Sequence, residues 1–265
     1  MNPVNPVNPV NIALPLLAAT CLVLTACGSE SSGNSADSEQ TTLVVLAASS
    51  LTEAFGELET SYETQHTDID VQLSYDSSST LAQQVLEGAP ADVLATADAQ
   101  TMASVTDESL TEGEPVPFAT NTLTLVTPPD DPGGISDVSD LDSPDVSFAV
   151  CVPDAPCGQA AQALLDLDGV TAAATTEQDN VKSVLTQVTT GQVDAGVVYV
   201  TDAQAAGDQV RTVAIDNASE VVNSYPIAAL AEASDPAAAQ DWVDLVTSSQ
   251  GQQVLTSYGF GPAAS

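Results

Sequence analysis

Short apolar runs alternate with segments of helical periodicity from residue 43 onward, and this alternation constrains the fold more than any other feature. Residues 43–48, 69–75 and 93–96 have the apolar patterns of strands, and each run is followed by a segment with the spacing of one helix face. This rhythm predicts an α/β fold with parallel strands and helices on both faces of the sheet.

The second half of the chain repeats the rhythm. Val181, Val184 and Val188 mark an amphipathic helix, and closing helices are predicted around Trp242 and Leu255. Two α/β units in one chain predict ligand space in the crevice at the carboxyl ends of the strands. The further strands are predicted at residues 121–127, 146–150, 196–200, 210–215 and 225–230.

Two serine-rich turns follow the first two predicted strands. They read Ala-Ala-Ser-Ser-Leu-Thr at residues 47–52 and Tyr-Asp-Ser-Ser-Ser-Thr-Leu at residues 75–81. Each turn places hydroxyls and unbonded backbone N–H groups at the start of a helix, which is a way to hold an anion without a cation. Taken alone, either turn is also explained by serines that only cap a helix, with Ser49 or Ser50 capping the first.

The charge of the chain limits its partners. There are 37 acidic residues against one lysine and one arginine, for a formal net charge of −35. Nucleic acid is excluded as a partner, because phosphate backbones require basic patches. A surface this acidic suits high external salt, and a generic acidic exported protein is the alternative. An anion site in this chain must be built from neutral donors.

Residues 1–26 have the features of an export signal. The apolar run at residues 12–23 is too short to span a bilayer, and no lysine or arginine precedes it. Leu-Thr-Ala-Cys then resembles a lipobox, which predicts that Cys27 is acylated and anchors the protein to the membrane. The alternative is an ordinary signal peptide with an incidental cysteine. Residues 27–41 are rich in serine and acidic residues and predict a disordered tether.

Two more cysteines follow the predicted signal and tether. Cys151 and Cys157 are six positions apart, and in an oxidising compartment we expect them to form a disulfide, with two free thiols as the alternative. A zinc site is not expected, because it needs four ligands and the chain has one histidine, His66, which we expect at the surface. An exported serine hydrolase is a remote alternative function, since no other histidine could act as its base and no Gly-x-Ser-x-Gly motif is present.

Several blocks, in order along the chain, resemble the periplasmic molybdate-binding proteins of molybdate ABC transporters. The most specific is the run from Ser-Ser-Ser-Thr-Leu to Gly-Ala-Pro-Ala-Asp, at residues 77–92. The resemblance implies a type II periplasmic-binding-protein fold with two lobes, each a mostly parallel sheet flanked by helices, and a ligand cleft between them. Lobe 1 is then expected at residues 42–120 and 223–265, and lobe 2 at residues 121–222. The other blocks are residues 47–55, 97–98, 156–158, 180–182, 196–199, 202–203, 225–226 and 258–260.

The resemblance also implies a ligand and the residues that bind it. Position by position, the hydroxyls fall on Ser50, Ser78 and Tyr199, and the backbone donors fall on Cys157 and Val181. Molybdate is a dianion that offers only acceptors, so a shell of donors without formal charge satisfies it. Tungstate has nearly the same size and charge, and another tetrahedral oxyanion, sulfate or phosphate, is the alternative ligand.

The neighbouring serines are expected to play a supporting role. Ser49, Ser77 and Ser79 are predicted to act as caps of the two helices. Tyr199 has an alternative role as a core aromatic residue with its hydroxyl at the edge.

The same resemblance implies a location and partners. We expect a monomeric binding protein outside the cytoplasm that delivers molybdate or tungstate to an ABC permease and its ATPase. No enzymatic activity, no cofactor and no metal cation bound by side chains are expected.

Three charged residues lie at or near the compared blocks. Asp76 would repel a dianion in the cleft, or accept a proton from hydrogen phosphate, and we expect it to face solvent. Lys182 either faces solvent or attracts the anion. Arg211 lies in a predicted strand, and no ligand role is expected for it.

Overall fold

The computed structural model describes residues 40–263. The strands are β1 (Thr41–Ala48), β2 (Ile69–Asp76), β3 (Val93–Ala95), β4 (Val116–Thr127), β5 (Phe148–Cys151), β6 (Thr176–Gln178), β7 (Ala195–Tyr199), β8 (Arg211–Val213), β9 (Val222–Ala229) and β10 (Gly261–Pro262). The helices are α1 (Thr52–Gln65), α2 (Ser78–Leu86), α3 (Ala99–Thr106), α4 (Pro156–Leu167), α5 (Val181–Thr189), α6 (Val200–Ala206), α7 (Pro236–Thr247) and α8 (Ser249–Ser257).

Each strand and helix predicted from the apolar pattern has a counterpart in the structure. The pattern missed β6, β10 and α6, and it placed Val200 at the end of a strand, whereas Val200 begins α6. These elements are short, with at most seven residues, so they contain too few apolar positions to show a period.

The strands form one mixed sheet in the order β2-β1-β3-β9-β4-β7-β5-β6, with β8 and β10 also paired to β4. The pairs β1–β2, β1–β3, β5–β6 and β5–β7 are parallel, as predicted for strands joined by helices. Every pair that includes β4 or β9 is antiparallel. The central strands therefore depart from the predicted parallel arrangement, because an apolar run reveals a strand but not its direction.

The antiparallel centre gives the strands in the two outer parts of the sheet opposite directions. Going from β3 through β9 and β4 to β7, the direction reverses three times, so β7 runs opposite to β3. The carboxyl ends of β1, β2 and β3 therefore point one way, and those of β5, β6 and β7 point the other way. Because β9 pairs with residues 116–122 of β4 and β7 pairs with residues 123–126, the two groups lie one after the other along β4, and loops at their carboxyl ends can meet in one crevice.

Strand register sets the two serine turns side by side. Ala48 is the partner of Asp76 at the end of the β1–β2 pair, and Ala47 is the partner of Ala95 on β3. Strands β1, β2 and β3 therefore end at the same edge of the sheet, and the loops that follow them begin next to one another. The start of α1 is held there by packing, since Phe55 is fully buried and contacts Trp242 edge to face.

Some predictions concern residues outside the described range. The signal at residues 1–26, the acylated Cys27 and most of the tether at residues 27–41 fall there. The lobe limits also stay predictions. Within residues 40–263, no helix is both long and apolar enough to cross a membrane.

Candidate anion-binding site

All five residues predicted to bind an anion line one small cavity. Ser50, Ser78, Cys157, Val181 and Tyr199 share this cavity, and all five are buried. A larger cavity elsewhere in the described chain lies beside Phe148 and Val170, and none of the five residues lines it. The small cavity is completed by Ala48, Ser49, Asp76, Ser77, Ala97, Pro156 and Asn180.

The cavity is lined from both ends of the sheet. Ser50 and Ser78 follow β1 and β2, whereas Cys157 follows β5, Val181 begins the helix after β6, and Tyr199 ends β7. The opposed strand directions explain why residues from these two groups meet. This arrangement matches the crevice predicted at the carboxyl ends of the strands.

The hydroxyl of Ser78 is positioned to donate into the cavity. Its Oγ accepts a hydrogen bond from the backbone N–H of Ala97 at 2.9 Å. The carbonyl of Ala97 in turn accepts from the side-chain amide of Asn223 at 2.9 Å, so the backbone is held on both sides of Ala97. Because an acceptor site of the Ser78 hydroxyl is already used, its proton remains available for a ligand.

The hydroxyl of Ser50 is held by a tyrosine. Ser50 Oγ lies 2.9 Å from the hydroxyl of Tyr225, and the amide of Asn121 donates to that hydroxyl at 3.4 Å. With Asn121 as its donor, Tyr225 can give its own proton to Ser50. The Ser50 proton is then free for the cavity.

The hydroxyl of Tyr199 is the clearest sign of a missing partner. Tyr199 is 1% exposed, and its hydroxyl has no hydrogen-bond partner among residues 40–263. Burial raises the pKa of Tyr199 well above its usual value, so the hydroxyl stays protonated and neutral. A buried hydroxyl without a partner is costly, and an acceptor in the cavity would satisfy it.

Two helix starts supply backbone donors. In α4, Pro156 has no N–H, and the N–H groups of Gly158 and Gln159 both bond to the carbonyl of Ala155, which leaves the N–H of Cys157. In α5, the carbonyl and side chain of Asn180 accept from Val184 and Ser183. The N–H of Val181 is thus left for a ligand at the positive end of the helix dipole.

The start of α4 is tied to the end of β5. A disulfide joins Cys151 to Cys157, with 5.7 Å between their Cα atoms. Gly158 allows the close approach, because a Cβ at this position would overlap the carbonyl oxygen of Val152. The backbone donor of Cys157 is therefore held by a covalent link and by tight packing.

Residues 43–261 match the family model described as bacterial extracellular solute-binding protein. The chain belongs to this family. Its members bind solutes outside the cytoplasm, so the predictions that this chain is extracytoplasmic and is not an enzyme are confirmed.

Individual relatives support the same assignment. The molybdate-binding protein ModA of Mycobacterium tuberculosis is 38% identical over 240 residues, which cover 89% of this chain and 92% of the relative. The periplasmic molybdate-binding protein of Azotobacter vinelandii is 18% identical with a TM-score of 0.75, covering 84% of this chain and 100% of that one. The sulfate-binding protein SubI of Mycobacterium tuberculosis is 19% identical with a TM-score of 0.73, covering 84% and 87%. The last two show the type II periplasmic-binding-protein fold that was predicted.

The serines in the two turns of this solute-binding protein do not cap helices with their side chains. The segment Ser49–Leu51 forms a short 3-10 turn ahead of α1, and neither start has a side-chain cap. The hydroxyl of Ser77 lies 2.9 Å from that of Ser79 and does not bond to the backbone of α2. Ser77 occupies the predicted N-cap position of α2, but its side chain makes no cap bond, and the capping roles predicted for Ser49, Ser50 and Ser79 are wrong. The N–H groups that caps would have occupied remain available.

The expectation that Asp76 faces solvent is wrong. Asp76 is half-buried and lines the cavity. Its Oδ1 accepts from the backbone N–H of Ser77 at 2.7 Å and from the side-chain amide of Asn180 at 3.0 Å. The reason is its position at the end of β2, where the register with Ala48 places it at the cavity edge.

Sequence reasoning missed several residues that support the site. Asn180 and Tyr225 lie in blocks that resemble the molybdate-binding proteins, but no role was assigned to them. The spacing of Asn180 and Ser183 before an apolar period is a helix-start signal that could have identified Asn180 as a cap. No local signal identifies Asn223 or the peptide of Ala97.

Lys182 is ion-paired, which neither of its two predicted roles included. Its Nζ lies 2.7 Å from Glu53 and 3.1 Å from the fully buried Asp202. Burial opposes the charge of Lys182, but Asp202 and Glu53 outweigh this effect, and the pKa of Lys182 is raised. Burial raises the pKa of Asp202 to about 6, although Lys182 acts in the opposite direction. The lysine is thus ion-paired beside the site.

The remaining candidates give no other site. Arg211 pairs with Asp131 at 2.6 Å. His66 stacks on Tyr62 at the far end of the 14-residue helix α1. That helix is roughly 20 Å long, so His66 is too distant to act as a base for Ser50. In the described part of the chain, no group of three or more His, Cys, Asp or Glu side chains could hold a metal ion.

Proposed function

We propose that this protein is the binding component of an ABC importer and that its ligand is molybdate. The 38% identical relative from Mycobacterium tuberculosis is a molybdate-binding protein, and it is matched over nearly its whole length. The observation that carries the proposal is the convergence of Ser50, Ser78, Tyr199 and two backbone N–H groups on one cavity. Three hydroxyls and two N–H groups offer donors, and none has a formal positive charge.

The chemistry of these donors suits a fully deprotonated dianion. Each oxygen of molybdate accepts hydrogen bonds, and no proton on the ligand needs an acceptor. The neutral hydroxyl of Tyr199 gains its missing partner, and the starts of α4 and α5 add partial positive charge. A low-dielectric cavity strengthens each of these bonds relative to water.

We propose tungstate as a second ligand, because its size and charge are nearly those of molybdate. Sulfate also offers only acceptors, but it is smaller and needs a tighter shell. Hydrogen phosphate carries a proton that must be accepted, and Asp76 is the carboxylate that lines the cavity. Phosphate is therefore the second candidate that a specific observation favours.

Titration calorimetry with the purified protein tests these assignments. We expect tight binding of molybdate and tungstate, and at least a hundredfold weaker binding of sulfate and phosphate, which is about 2.7 kcal/mol. Tight phosphate binding would favour the second candidate. Absence of heat with all four oxyanions would overturn the proposal.

We further propose that the protein is a monomer anchored to the membrane through an acylated Cys27. A lipid anchor would keep the binding protein near the permease and ATPase that receive its ligand. Mass spectrometry of protein extracted from membranes should find a diacylglyceryl group on Cys27, and Cys27→Ser should release the protein. Light scattering of the detergent-free Cys27→Ser variant should give the monomer mass.

A further inference from the structure

A single carboxylate oxygen connects the two sides of the cavity. Oδ1 of Asp76 accepts from the N–H of Ser77 at 2.7 Å and from the side-chain amide of Asn180 at 3.0 Å. Asp76 ends β2, and Asn180 precedes α5 directly after β6. Strands β2 and β6 are the outermost strands at opposite ends of the sheet order. This contact therefore joins segments that the sheet itself holds far apart.

Asn180 transmits this contact to a backbone donor of the site. Its Oδ1 accepts from the N–H of Ser183 at 3.0 Å, and its carbonyl accepts from the N–H of Val184 at 3.2 Å. The residue is thus locked onto the first turn of α5. Holding its amide at Asp76 fixes where the N–H of Val181 points, and Val181 is the next residue.

The charge of Asp76 has the opposite effect on the ligand. A carboxylate that lines the cavity repels a dianion, most strongly where the effective dielectric is low. Two donors already bond to its Oδ1, and an amide oxygen could accept from the same two donors. The positioning effect and the electrostatic effect of this side chain can therefore be separated by an isosteric substitution.

We propose that Asp76 is a positioning residue for anion binding, which holds the start of α5 against the cavity through Asn180. Asp76 positions α5 by accepting hydrogen bonds, and its negative charge is not needed for this role. The proposal rests on the proposed function, since it concerns the same cavity. It assigns Asp76 no contact with the ligand.

Titration calorimetry and stopped-flow dissociation of molybdate test the proposal in the full protein. Asp76→Ala should weaken binding about tenfold, mainly through faster dissociation, because the N–H of Val181 is no longer held in place. Asp76→Asn should bind at least as tightly as the wild type, because it keeps both bonds and removes the repulsion. Asp179→Asn is the matched control, since Asp179 is exposed and adjacent to Asn180, and it should leave affinity unchanged.

A double-variant comparison guards against a purely structural explanation. Asn180→Ala should weaken binding, and adding Asp76→Ala to it should cause little further loss, because the two side chains act through one bond. Thermal unfolding without ligand checks that each variant folds.

Three results would overturn the proposal. They are unchanged affinity in Asp76→Ala, an equal loss in Asp76→Asn, or additive losses in the double variant. Tight phosphate binding that Asp76→Asn abolishes would also overturn it, because Asp76 would then contact the ligand. If the wild type bound no oxyanion, both the proposed function and this proposal would be overturned. If the wild type bound molybdate and the Asp76 variants bound it equally well, only this proposal would be overturned.

Discussion

The Nζ atom of Lys182 lies 3.1 Å from a carboxylate oxygen of Asp202, which is fully buried. Glu53 holds the same ammonium group at 2.7 Å. The single lysine of the chain is therefore neutralised by two carboxylates, although it directly follows Val181 in the candidate anion site. Attraction of a ligand is left to hydroxyls, N–H groups and helix dipoles.

Asp202→Asn should change how stability depends on pH. The pKa of Asp202 is raised from 3.8 to about 6, so the folded state binds this proton more tightly than the unfolded chain. The contribution of Asp202 to the free energy of unfolding therefore falls as the pH rises from about 4 to about 6. The variant lacks this contribution, so its stability relative to the wild type should increase across that window. Urea unfolding over this range measures the difference, and a difference that is independent of pH would contradict the prediction.

Tyr199→Phe should weaken molybdate binding and leave the fold intact. The substitution removes one donor to a charged ligand, which is worth about 1.5–3 kcal/mol, or roughly 10- to 150-fold in affinity. Without ligand, the variant should be at least as stable as the wild type, because a buried hydroxyl without a partner is removed. Calorimetry and thermal unfolding measure both effects. Tyr258→Phe, at a partly exposed site whose hydroxyl bonds to Glu57, is the control and should bind normally.

Ser78→Ala should reduce both affinity and stability. The hydroxyl is the acceptor for the buried N–H of Ala97, and its loss leaves that donor unsatisfied at a cost of about 1–3 kcal/mol. A ligand donor is lost at the same time. Urea unfolding and calorimetry report the two effects separately, and Ser104→Ala on the exposed face of α3 serves as the control. Normal molybdate binding by Ser78→Ala would remove Ser78 from the site.

Reduction of the disulfide between Cys151 and Cys157 should lower stability and affinity. Opening so short a loop costs roughly 2 kcal/mol by chain entropy. It also loosens the start of α4, which holds the backbone donor of Cys157. Binding measured before and after reduction tests this, with a variant that has alanine at both positions as a control for effects of the reductant. Equal affinity in the two states would show that the disulfide does not position this donor.

The melting temperature should rise with chloride salt beyond the physiological range. A net charge of −35 destabilises the folded state by self-repulsion, and the Debye length shrinks from about 10 Å at 0.1 M salt to about 3 Å at 1 M. Thermal unfolding in sodium chloride measures the effect, and sucrose controls for exclusion of cosolutes. A melting temperature that stops rising near physiological salt would contradict adaptation to high salt.

The sequence by itself determined the local features of this protein. The spacing of Val181, Val184 and Val188 predicted helix α5, and the two serine turns predicted hydroxyls at helix starts. The five candidate ligand residues came from the family resemblance, and the structure brings them to one cavity. Such features are readable because they depend on residues within a few positions of each other.

Only the tertiary structure decided how these local features face one another. Ser50 meets Tyr225 across 175 positions, and Asp76 meets Asn180 across 104. Both contacts depend on the antiparallel placement of β4 and β9, which turns the two ends of the sheet toward a common cavity. An apolar run does not reveal the direction of its strand or its distant partner. The run is buried equally well whichever element covers it and whichever way the neighbouring strand runs. For this reason the serines could be mistaken for caps, and Asp76 for a solvent-facing residue.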